Sequence, residues 1–163
     1  MKLPTLILAA ALLSTGLGQV LPATTAIAAD YSLNLEESGL AIHGYDPVAY
    51  FSDSTAIEGK ADITAEHNGA TYRFASAEHR DQFVANPEKY LPQYGGYCAY
   101  GTSINKKFNG DPTAWRVVDG KLYLNFNADV QRKWLEDVAG RISEADKNWP
   151  NIEDKSPETL NAQ

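Results

Sequence analysis

The sequence predicts an α+β fold in which two β-hairpins, forming a small antiparallel sheet or two abutting ones, are packed by two main helices. Three observations carry this expectation. Asn68-Gly69 and Asp119-Gly120 each lie between short β-prone runs, and such pairs accept the positive φ values that a two-residue hairpin demands. Each hairpin is followed by a stretch with helix signals, beginning at Ser76 and Asn127. Val130, Trp134, Val138 and Ile142 then recur at steps of four, the spacing of one helix face.

Taken in order, residues 1–28 read as a signal peptide. Lys2 supplies a positive charge, Leu6 to Leu13 is unbroken apolar sequence, and Ala26-Ile27-Ala28 offers a small-residue cleavage site. The mature chain is expected to begin at Ala29 or Asp30, to lack a membrane-inserted segment, and to be periplasmic or secreted. Residues 29–39 are a polar lead-in and residues 40–150 the domain. Leu40-Ala41-Ile42 and Val48-Ala49-Tyr50-Phe51 look β-like around the turn formers Gly44 to Pro47, and Asp46 suits a turn because its carboxylate can bond the N–H two residues on.

Residues 62–74 form the first hairpin, with His67 beside its turn and facing solvent. A helix over 77–90 follows, capped by Ser76, carrying Glu78 in its first turn and stopped by Pro92. Residues 93–101 have neither helical nor strand periodicity and read as a loop, its tyrosines a packed wall with Tyr90. The second hairpin spans 114–126. A final helix over 127–147 ends before Pro150, and residues 151–163 are a polar tail.

Composition removes several functions. The chain has 14 basic and 21 acidic residues and a net charge of −7, one unit more negative without Lys2. With no Lys/Arg-rich run, nucleic acid and anionic lipid are poor partners. Cys98 is the single cysteine, so no internal disulfide forms, and a lone thiol in an oxidising compartment must be buried, metal-bound or reactive. No CxxC, HExxH, G-x-S-x-G or phosphate loop is present, which lowers the expectation of an enzyme.

Several motifs in order, GYDPVAYF at 44–51, YRFASAEHRDQF at 72–83, NPEKY at 86–90 and GGYCAYG at 95–101, resemble the YHS-domain family. DGKLYLN at 119–125 and ADKNWP at 145–150 make the chain similar to the exported branch of that family. The resemblance implies a metal-binding ancestry, since YHS modules attached to metal-transport ATPases carry cysteines in DPVC and YFCSxxC. Here Ala49 and Ala75 replace the first two, and His79 stands at the third. The resemblance also implies a chemically active position at Cys98, where relatives of the exported branch carry selenocysteine.

The residues themselves point the same way. His79 falls in the first turn of a helix, where the dipole favours the neutral imidazole that binds metal; packing against Phe83 is its plain alternative. Cys98 follows two glycines that admit close approach, with a small buried hydrophobe as its alternative. His43, just before the turn, is a possible third ligand. The favoured expectation is thus a metal module holding copper, or second zinc, through Cys98, His79 and His43, for handling or transfer with a periplasmic metal-handling protein. The alternatives are a thiol redox protein in which His79 lowers the pKa of Cys98, and a non-catalytic interaction module.

Overall fold

The computed structural model describes residues 31–162, so the expected signal peptide and its cleavage point lie outside the described residues. The α+β expectation is met. Helix α1 (Ala49–Ser52) precedes hairpin β1 (Lys60–His67) and β2 (Ala70–Phe74), followed by α2 (Ala77–Ala85) and α3 (Ala99–Ser103). Hairpin β3 (Asp111–Val118) and β4 (Lys121–Asn125) leads into α4 (Ala128–Leu135), α5 (Val138–Ile152) and α6 (Pro157–Asn161). Among the described residues no helix is long and apolar enough to cross a membrane.

Both hairpin turns follow from their sequence. Asn68 and Gly69 have φ of 49° and 78°, Asp119 and Gly120 of 50° and 74°, the mirror-image turn that matches strand twist. The hairpins form two separate two-stranded sheets rather than one. The reason lies at their edges. Thr71 of β2 exchanges backbone bonds with Gly39 and Ala41, and the outer edge of β4 bridges to Pro92 at Leu122 and to Cys98 at Leu124. Connecting segments thus occupy the outer edges of β2 and β4, and the hairpins do not join there.

Two clusters make the core. The first gathers Val48, Tyr50, Tyr72, Phe74, Phe83, Leu122 and Leu124 between the hairpins, and the second gathers Tyr94, Ala99, Tyr123, Trp134 and Ala145 beneath the C-terminal helices. The tyrosine wall is present. Tyr90, Tyr94 and Tyr97 are buried, and Tyr94 and Tyr97 pack against Trp149.

Several elements depart from the sequence reading. Residues 49–52 are helical despite their β-prone composition, because Asp46 Oδ1 accepts the Val48 N–H at 2.8 Å and Pro47 leads the chain into a tight turn. Helix α2 ends at Ala85, not Tyr90: Asn86 precedes Pro87, which excludes it from the helical region, and it takes φ −155°, ψ 73°. The expected helix over 127–147 breaks at Asp137, whose side chain caps α5 by accepting the Gly140 N–H at 3.0 Å. Trp134 is buried, whereas Val130, Val138 and Ile142 are only partly covered. Helix α5 runs through Pro150 to Ile152, so the proline does not end the helix, although it cannot donate to the carbonyl four residues back. The tail is not loose either: α6 buries Leu160, and the Leu160 carbonyl accepts from Lys106 Nζ at 2.8 Å.

Candidate functional site

A polar constellation that joins three segments of the chain assembles around His79. Ser76 caps α2 by accepting the His79 N–H at 3.2 Å, as the sequence predicts, and this places the imidazole over the turn that contains Asp46. Asp46 is fully buried. Its Oδ1 takes the Val48 N–H, while Oδ2 accepts the Ala75 N–H at 2.8 Å and faces His79 Nδ1 at 2.6 Å. A carboxylate with two backbone donors and no exposure orders the ring, and a proton on Nδ1 leaves the Nε2 lone pair free. Nε2 lies 3.3 Å from Ser52 Oγ and 3.6 Å from Asp53 Oδ2, both at the C-terminal end of α1.

Ser52, His79 and Asp46 thus stand in the order of a nucleophile, base and orienting acid. Electrostatics argue against acyl transfer. Ser52 Oγ is 3.3 Å from the Asp53 carboxylate and 3.2 Å from the Val48 carbonyl, so an oxyanion developing beside it meets the negative potential of both groups. A cation meets the reverse. Two ligands of a tetrahedral ion with bonds of about 2.1 Å are separated by roughly 3.4 Å, near the separations of Ser52 Oγ and Asp53 Oδ2 from Nε2. Among the described residues, however, no group of three or more His, Cys, Asp or Glu side chains forms a metal centre.

Cys98 occupies a different setting. It is buried at the start of α3, where its sulfur accepts the Gly101 N–H at 3.4 Å and lies 3.9 Å from Asn125 Oδ1. Burial pushes the thiol pKa above its ordinary value, and the backbone N–H groups of Gly101, Phe126 and Tyr100 only partly oppose this. The sulfur borders an apolar cavity of about 270 Å³ that Tyr100, Ile104, Phe108 and Phe126 also line. Next to it Asn125 Nδ2 is buried without a partner among the described residues.

The three sequence-predicted ligands therefore sit in separate surroundings. Among the described residues, the His79 ring meets Asp46, Ser52 and Asp53, the Cys98 sulfur meets the backbone of Gly101, Phe126 and Tyr100 and the Asn125 side chain, and no residue is common to both sets. His43 is exposed and pairs through Nδ1 with Glu36 at 3.0 Å. His67 does not face solvent freely: its Nε2 lies 3.2 Å from Glu88 and its ring meets the edge of Phe83. Asp46 is the turn former that the sequence suggests, but its hold on His79 spans 33 residues and has no local sequence signal. Ser52 and Asp53 were legible only as polar residues after an apolar run. Scanned against protein-family models, curated proteins and solved structures, the chain matches none.

Proposed function

We propose that this chain is an exported YHS-like module that binds a borderline divalent metal at His79 and Asp53, with Ser52 and water completing a partial site. The observation that carries the reading is the buried Asp46 carboxylate against His79 Nδ1. Carboxylate, imidazole and metal in line is the usual way in which a ligating histidine is oriented and made more basic. A nitrogen and oxygen donor set without sulfur favours Cu(II) and then Zn(II) over Cu(I). A site with two strong protein ligands at the surface holds its ion weakly, which fits handing it to a periplasmic metal-handling protein. The YHS resemblance supports the same position, since His79 stands where that family places a ligand. Cys98 is outside the site in this reading; its protonated, buried thiol gives no support to redox catalysis.

The test is a calorimetric titration of the mature protein with Cu(II) and Zn(II). His79→Ala is expected to abolish binding, Asp53→Asn to weaken it about tenfold or more, and Cys98→Ser to leave it unchanged. Retained affinity in His79→Ala, or its loss in Cys98→Ser, overturns the assignment.

A further inference from the structure

The open edge of β3 carries a second feature. Val118 and Lys121 close the two-residue hairpin, so their pair exchanges both hydrogen bonds, and pairs alternate from there along the ladder. Arg116 bonds to Tyr123, while Trp115 and Val117, opposite Leu124 and Leu122, direct their backbone groups away from β4. The Trp115 carbonyl is taken by Gln131 Nε2 at 2.6 Å. Among the described residues, no strand pairs with this edge, and the Trp115 N–H, Val117 N–H and Val117 carbonyl have no partner. By contrast, the outer edge of β4 is covered at Leu122 and Leu124.

Beside the same three residues lies a cavity of about 460 Å³, lined by Tyr50, Phe51, Ser54, Trp115, Arg116 and Val117. Its walls on the Trp115 and Val117 side are aromatic and aliphatic. Arg116 lies between them, exposed, and among the described residues its guanidinium has neither a hydrogen bond nor an ion pair, although acidic residues outnumber basic ones in this chain by 21 to 14.

We infer that the β3 edge is a strand-addition site for an extended segment of a partner protein in which an acidic residue is flanked by two apolar ones. Main-chain groups at Trp115 and Val117 supply the pairing, as at other sheet edges that accept a peptide. The residue opposite Arg116 falls in the close, non-hydrogen-bonded register, where a carboxylate answers the free guanidinium. The residues on either side turn to the opposite face and enter the aromatic cavity. A second copy is a poorer occupant, because antiparallel pairing of two β3 edges about this residue sets arginine against arginine.

The experiment uses the mature protein and two capped peptides, Thr-Val-Glu-Val-Thr and Thr-Val-Lys-Val-Thr, followed by amide NMR and hydrogen exchange. The glutamate peptide is expected to protect the Trp115 and Val117 amides and to bind about tenfold tighter than the lysine peptide. Val117→Pro removes an edge donor that the β4 ladder does not use, so it should abolish binding while the remaining ladder amides stay protected. Arg116→Glu, an exposed change that keeps the fold, should invert the peptide preference. Equal binding of both peptides, or no protection of the two edge amides, overturns the inference. So does protection of those amides without peptide in a protein that sediments as a dimer, because a second copy then fills the edge.

Discussion

Replacing Asp46 with Asn tests the centre of the site and a main tie of the fold together. The aspartate accepts from Val48 through Oδ1 and from Ala75 and His79 through Oδ2, with no solvent exposure to soften the loss. An asparagine can keep the oxygen toward Val48, but its NH2 then confronts two donors. Two hydrogen bonds to a charged acceptor go, at about 1.5–3 kcal/mol each, so the expected destabilisation is about 3–6 kcal/mol. In a domain of this size that lowers Tm by roughly 10–20 °C, read by circular dichroism and checked by urea unfolding. Loss of the orienting carboxylate should also weaken Cu(II) binding by about 10- to 100-fold in the fraction that stays folded. A Tm within about 3 °C of wild type shows that the carboxylate ties neither β2 nor α2 to the turn, and refutes the reasoning.

Three further outcomes follow from burial. Trp134 lies fully inside the second cluster against Tyr123, so Trp134→Ala should cost about 3–5 kcal/mol, whereas Val130→Ala, on a partly covered side chain, should cost less than half of that in the same urea series. Cys98 should resist iodoacetamide at pH 7 in the folded protein and react promptly once urea exposes it, since its thiol is buried and held protonated; fast alkylation of the native form contradicts that placement. Stability should fall in alkali, because Cys98, Tyr50, Tyr72 and Tyr94 all hold their protons more tightly folded than unfolded, chiefly through desolvation. Their contribution is complete below the ordinary thiol value of 9.0 and phenol value of 10.0, and is lost as pH rises toward the folded values, about 12 for Tyr72. Urea midpoints that stay level from pH 8 to about 11 contradict this.

The residues differ in how far their environment could be read without the fold. Asn68-Gly69 and Asp119-Gly120 placed both hairpins, and Ser76 placed the start of α2, because each acts within four residues of itself. The steps of four from Val130 to Ile142 suggested one helix, yet Asp137 ends α4 and caps α5, a local preference strong enough to break an apolar period. Val48 to Phe51 carried β-prone side chains, and the buried carboxylate two residues earlier overrode them.

His79 shows where local reading stops. Its place in the first turn of a helix was legible, and so was the turn around Asp46, but their meeting depends on β1 and β2 folding back between them. Cys98 and His79 were joined in the sequence reading by chemistry alone, as thiolate and imidazole. The chain instead gives Cys98 to the N-terminus of α3 and the Asn125 side chain, and gives His79 to Asp46 and α1. Turns, caps and the α+β class were determined by the sequence alone, because they rest on interactions spanning a few residues. Which polar side chains share a site was decided only by the tertiary structure, because packing two hairpins into one core sets distances between residues that no spacing along the chain encodes.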